Sequence, residues 1–337
     1  MRRLRFRRTL RRDRALQMMR YLVRRLLLVP LTVMAIVTIS FIMIHAAPGD
    51  PVLALAGEHG DRAYYEFMRE RFGFDDPLPT RFVTYASRVL RGDFGNSYVQ
   101  GRSAAALIAE RVPATLLLTA SALVLGALVS IPLGLWTARR AGGRWDGFVN
   151  FFALTLYSMP LFWVGQMAVV VFAARMGWLP VEGIATAGSD ATGIHRVTDL
   201  LQHLALPAVV LASHEIAVLT RLVRSGVAQE LGRDHVRMAR ASGLSERVIL
   251  LRHALPRPML TVVTVVGTRI GQLFAGALVV EIVFGWPGMG RLLLSALQAR
   301  DAPILLAFFF LVSCSVVIAN LVADVIYAAI DPRIRYG

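Results

Sequence analysis

The sequence predicts an all-α integral membrane protein with six transmembrane helices, a small external insertion after the first, and a charged loop between the fourth and fifth. Three observations carry that prediction. Of 337 residues 56% are hydrophobic, and the mean hydropathy of +0.57 is far above that of a soluble domain. Six apolar runs reach the ~20 residues that cross ~30 Å of hydrocarbon as a helix. Between the runs, arginine is distributed with a strong bias to one side.

Residues 1–25 carry eleven arginines and read as a basic cytoplasmic N-terminus. They mimic the start of a signal peptide, but the apolar run behind them, 26–47, has 22 residues, too long for a signal's apolar region, and five more runs follow. This is the first crossing. The segment 48–112 is polar, too long for a hairpin loop, and holds turn signals such as Pro48-Gly49-Asp50-Pro51 and Asp76-Pro77, so it reads as a small folded external insertion. The remaining crossings are 114–137, 148–174, 200–219, 259–284 and 302–323, and a cytoplasmic tail covers 329–337. Pro132 and Pro160 lie inside crossings and are expected to kink them.

With the N-terminus inside, the cytoplasmic segments hold 24 arginines against 6 acids, and the outer segments 12 against 13. The positive-inside rule therefore selects N-in and C-in. No nucleic-acid partner is expected of a charge laid out this way, whereas membrane lipid is.

All 37 basic residues are arginine. Without lysine the chain cannot form a P-loop, a Schiff base or a pyridoxal-phosphate site, so any energy from ATP must come from another polypeptide. The single Cys314 lies in an apolar run, which excludes a disulfide framework and a thiolate metal cluster and reads as a small core residue. His214-Glu215 begins an H-E-x-x-H pattern, but Val218 stands where the second histidine belongs, so the zinc-protease spacing fails. His203 and His214, about three turns apart, can share a helix face and touch a metal, or serve structure alone. Gly267 and Gly271 are spaced for close helix packing.

The most informative stretch is 226–257 between the fourth and fifth crossings. Val227 to Ser242 has helix-forming composition, Gly243 suits the left-handed residue that ends a helix, and Ser245 can cap a second helix, Glu246 to Leu255. Small residues (Ala239, Ala241, Ser242, Gly243) and apolar ones (Val236, Met238, Leu244, Val248, Leu251) crowd the turn in a segment that hydropathy places in water. Such a wedge can seat in a groove of another protein. Alternatively it lies flat on headgroups, held by Arg233, Arg237, Arg240 and Arg247.

The run Asp234-His235-Val236-Arg237-Met238-Ala239-Arg240-Ala241-Ser242-Gly243-Leu244, followed by His253-Ala254-Leu255, resembles the coupling loop of type I ABC importer permeases. The likeness extends along nearly the whole chain. Its further landmarks are Gly92-Asp93-Phe94-Gly95, Ser158-Met159-Pro160-Leu161-Phe162, Leu179-Pro180 with Gly183, and His203-Leu204-Ala205-Leu206-Pro207. Later come Glu281-Ile282-Val283-Phe284-Gly285-Trp286-Pro287-Gly288-Met289-Gly290, Arg300-Asp301-Ala302-Pro303 and Asp331-Pro332-Arg333-Ile334-Arg335. Their order and spacing are similar to the dipeptide/oligopeptide/nickel permease family. The chain departs from that pattern with Ser242 in place of a lysine, with Pro256-Arg257-Pro258, and with Thr261 where a proline is common. Those prolines are expected to cut the second coupling helix near Leu255 and move its hinge into the fifth crossing.

The resemblance implies the type I ABC permease fold over 113–328, a bacterial plasma-membrane (inner-membrane) location, and a non-catalytic transport role. It implies a heterodimer with a second permease, two P-loop ATPase subunits that bind ATP and magnesium, and an external substrate-binding protein. No cofactor or metal is expected on this chain itself. Asp234, Arg237, Ala239, Arg240, Ala241, Gly243 and Leu244 would dock on the ATPases, whose closure opens the path outward and whose hydrolysis returns it inward. His214, Glu215, Arg269 and Glu281 are charged or titratable residues in crossings, so they are expected to face the interior and to line the path. Arg269 and Glu281 lie about 120° apart around their helix, so they need not face each other. Arg269 can equally pair with Glu215 as structural glue, or with the partner permease. Peptides are the cargo the resemblance favours, with nickel, metallophore complexes and opines as alternatives. A membrane enzyme built on His214, Glu215 and Arg269, and a sensory or scaffold protein using the permease fold, are the readings from other classes.

Overall fold

The computed structural model describes residues 27–42, 63, 66, 76–188 and 192–330, the last stretch without the side chains of 264, 268–276, 319, 320 and 322–330. The basic N-terminus, Pro48-Gly49-Asp50-Pro51, the tail from Asp331, the side chain of Arg269 and the surroundings of Gly271 therefore lie outside what is described. In chain order the helices are α1 (Leu27–Ile42), α2 (Leu78–Leu90), α3 (Ala104–Ala138), α4 (Arg144–Ser158), α5 (Leu161–Arg175), α6 (Ile194–Leu231), α7 (Asp234–Ala241), α8 (Glu246–Ala254), α9 (Pro256–Val283), α10 (Met289–Gln298) and α11 (Ala302–Ile330). Among the described residues the only β pairing is an isolated bridge, Asn96 to Ser103.

Helices α3 and α6 are each long and apolar enough to cross a membrane. The pair α4 and α5, bent by 103°, and the pair of α8 with the first part of α9, bent by 43°, are so only as pairs, and α1 and Ala302–Ile318 are shorter apolar helices. Helices α3 and α6 start at Ala104 and Ile194, before the apolar runs expected at 114 and 200. Pro132 stays inside an unbroken α3. At Pro160 the expected kink is a full break: Met159 is extended (φ −76°, ψ 136°), as the residue before a proline prefers.

The chain forms two compact units, 112–291 and 1–111 with 292–337. In the first, α6 is the central helix, packed against α4, α5 and α9. Its most apolar window has mean hydropathy 1.5 and is 67% buried, against 2.3 and 28% for α3. A helix wrapped by protein tolerates His203 and Glu215, whereas one facing hydrocarbon does not. Close approach is set by glycines. A Cβ on Gly134 of α3 would lie 2.7 Å from Val223 of α6, and one on Gly226 of α6 2.8 Å from Pro258 of α9.

In the second unit Val37, Ala86 and Val89 form a small core with Phe82, Phe94 and Phe310. Buried Asp301 accepts hydrogen bonds from the Ser97 hydroxyl (2.5 Å) and the Tyr98 amide (3.2 Å). The Asp301 landmark thus meets the segment just past Gly95, about 200 residues earlier. Burial, reinforced by the Asp301 charge, pushes the Tyr98 phenol up to about 12.

Candidate coupling segment and intramembrane residues

The segment predicted to couple begins later than expected, because α6 runs on through Leu231 and breaks at Gly232. Helix α7 then ends in a Schellman motif: the Gly243 amide bonds the Arg240 carbonyl (3.1 Å) and the Leu244 amide bonds the Ala239 carbonyl (3.3 Å). Gly243 takes φ +76°, the left-handed conformation read from the sequence. Ser245 does precede the next helix, but its hydroxyl makes no capping bond. Leu255 remains helical before Pro256. The turn Ile249–Ala254 widens to π geometry, with the Leu255 amide on the Leu250 carbonyl (2.8 Å), and α8 ends there, where the prolines were expected to cut it, before the chain bends by 43° into α9.

Helices α7 and α8 carry a core of their own, in which Val236, Ala239 and Ile249 are buried beside Leu231. Ala239 and Val236 therefore face inward, three residues apart on one side of α7, and do not belong to the expected wedge. Asp234, Arg237, Arg240, Ala241, Gly243 and Leu244 are exposed. So are Met238, Val248 and Leu251, and Met238 (71%) and Leu251 (54%) are the most open of the apolar residues here. Arg240 and Glu246 clasp the turn through two bonds, Nε to Oε1 at 2.6 Å and a second at 3.2 Å. The Arg240 guanidinium holds the Glu246 carboxyl below the usual carboxylate range, but both groups face water and the pair adds little stability.

Glu230 is a residue the sequence reading missed. Its side chain is only 6% exposed, and it meets Arg233 (3.2 Å), His235 (3.5 Å) and Arg257 (3.3 Å). One buried carboxylate so fastens the end of α6 to α7 and to the start of α9. Asp146 plays the same part at the start of α4, accepting from Arg224 Nε (2.8 Å), the Asn150 amide (2.8 Å) and the Gly142 backbone amide (2.9 Å). A lone acid among arginines was the available signal for both.

The intramembrane candidates separate. His214, on α6, packs its ring against Tyr157 of α4 with centroids 4.5 Å apart. Glu215 is buried, its Cβ facing Gly126 of α3. His203 is buried and turned to the Asp199 carbonyl (2.9 Å). Glu281 is fully buried at the end of α9, where it accepts bonds from the Thr115 hydroxyl (2.6 Å) and the Gly290 amide (2.6 Å). Thr115 in turn accepts the Met289 amide (2.9 Å), and Trp286 Nε1 donates to the Ala114 carbonyl (2.9 Å). A side chain on Gly288 would fall on the Glu281 carboxylate. Cys314 is partly buried. Among the described residues no three of His, Cys, Asp and Glu cluster as metal ligands would.

An apolar helical bundle, its only β pairing among the described residues one isolated bridge, with a charged helix pair built onto its central helix, is the architecture of an integral membrane protein. The chain belongs to the family of binding-protein-dependent transport system inner membrane components, which matches residues 130–336, with the N-terminal part of that component matching 18–119. It is 35% identical to the oligopeptide transport system permease protein AppB of Bacillus subtilis (strain 168), over 94% of this chain and 99% of the relative. It is 36% identical to the dipeptide transport system permease protein DppB of Escherichia coli (strain K12), over 95% and 99%. It is 37% identical to the glutathione transport system permease protein GsiC of Salmonella typhimurium (strain LT2), over 95% and 100%. Among solved structures the fold is similar to a chain of the inward-facing MetNI methionine ABC transporter, with TM-score 0.50, 16% identity, and coverage of 67% of this chain and 96% of that one.

Proposed function

We propose that the chain forms half of a translocation path for di- or oligopeptides, crossing the membrane six times with both termini in the cytoplasm. Its partner across the path is a second, related permease. Two P-loop ATPase subunits, which bind ATP and magnesium, seat on α7 and α8, and an external binding protein delivers the cargo. ATP-driven closure of the ATPases moves the coupling segment, and the Glu230 contacts pass that motion to α6 and α9 together, giving alternating access. The observation that carries the reading is the exposed ridge of Met238, Leu244, Val248 and Leu251 on a helix pair with its own buried core. Apolar side chains held in water on a firm base are what a docking surface needs. The peptide cargo rests on the end-to-end likeness to permeases of oligopeptide, dipeptide and glutathione systems. His214, Glu215 and Arg269 are proposed to face the path, and Glu281 to border it from its fastened position.

The test is co-purification with the ATPase subunits and uptake of a labelled dipeptide, wild type against Gly243→Trp. A tryptophan is strained at φ +76°, and the indole adds bulk beside the ridge. Loss of both the ATPases and uptake in the variant is expected. Retention of both contradicts the coupling assignment, and bound ATPases without dipeptide uptake in the wild type redirects the cargo to metals or opines.

A further inference from the structure

An open cavity of about 490 Å³ lies between α4 and α6, and its wall includes Asn150, Tyr157, Val218, Arg221, Leu222 and Arg224. Its two arginines differ. Arg224 is closed by the bidentate bond to Asp146, which also fixes Asn150, so that corner is neutral and rigid. Arg221, three residues earlier on α6, joins no ion pair among the described residues and is exposed. The opposite wall is aromatic, with Tyr157 steadied by the His214 ring. The cavity thus offers one uncompensated guanidinium, two aliphatic side chains and a phenol. A guanidinium fork matches the two oxygens of a carboxylate.

We propose that this cavity is an oxyanion subsite of the path, where Arg221 receives the C-terminal carboxylate of a peptide and Tyr157, Val218 and Leu222 contact its side chain. The inference rests on the peptide-permease reading and names residues of the path beyond those read from the sequence. A lipid phosphate shares the oxyanion chemistry and is the competing source.

The experiment uses the full assembly with its ATPases in nanodiscs, in a Cys314→Ala background carrying Val218→Cys, and follows maleimide labelling. Glycyl-leucine should slow labelling, and glycyl-leucinamide should not. Arg221→Gln should raise the peptide concentration for half-protection about tenfold, the loss expected of one charge-assisted pair, with Arg221→Lys recovering part of it. Equal protection by the amide, or protection unchanged in Arg221→Gln, overturns the subsite. Slowing by phosphatidylglycerol relative to phosphatidylcholine, with no added effect of glycyl-leucine, assigns the cavity to lipid and also overturns it. Uptake of glycyl-leucine by the wild-type assembly separates the two levels. Uptake without protection sinks the subsite alone, and neither uptake nor protection sinks the peptide reading with it.

Discussion

The turn between α7 and α8 and the turn between α9 and α10 are the two densest runs of recognisable residues in the chain, and they are built in opposite ways. Around Glu281 to Gly290 most large residues turn inward: Glu281, Phe284, Trp286 and Met289 are buried and bonded or packed, and Ile282 is the exposed exception. Around Arg237 to Leu251 the arginines and most apolar side chains turn outward, over a minimal core of Val236, Ala239 and Ile249. The difference teaches that a shared motif can be a fastener or a contact surface, and burial tells which. A fastener fails by unfolding, a surface by losing its partner.

Substitutions can break or sharpen that contrast. The largest effect is expected at Gly290→Val, since even a Cβ there would lie 2.5 Å from the Leu278 Cα, which cannot rotate away. Overpacking against backbone should cost about 3 kcal/mol or more, read as loss of monodisperse protein in detergent. Next comes Glu281→Leu, which strands the Thr115 hydroxyl and the Gly290 amide. A loss of about 2 kcal/mol is expected in thermal unfolding, larger when Thr115→Val is added, because the buried Met289 amide then loses its acceptor as well. Glu230→Gln should be milder, about 1 kcal/mol, because its cationic partners are largely hydrated. The ATPases should still co-purify, while stimulation of ATP hydrolysis by the loaded binding protein falls. Wild-type stimulation in Glu230→Gln would remove that residue from the coupling route.

Helices α3 and α6 were legible because apolar length is a strong signal, and Gly243 was legible because a left-handed helix end has a narrow residue preference. What hydropathy could not give was where helices continue past the apolar stretch: Ala104, Leu107 and Ile108 extend α3 by packing on protein, and α6 runs through arginines to Leu231. The break at Pro160 was visible as a proline but not as 103°, since the bend depends on neighbours. Glu230 and Asp146 escaped notice because an acid reads as solvated until its arginine partners, 27 and 78 residues away in the longest cases, are seen in space. That Ala239 is buried beside Ile249 was not legible, because composition does not reveal which side of a short helix its own companion covers.

The central claim is that the outward ridge of α7 and α8 holds the ATPases and does nothing for the fold. Co-purification and thermal unfolding of Met238→Asp with Leu251→Asp, beside Glu281→Leu, measure it most directly. We predict that the ridge variant keeps the wild-type unfolding temperature to within about 0.5 kcal/mol of stability and loses the ATPases, as exposed positions away from structural fasteners allow. Glu281→Leu should unfold earlier and keep the ATPases at low temperature. A ridge variant that retains them, or that unfolds as early as Glu281→Leu, would contradict the account.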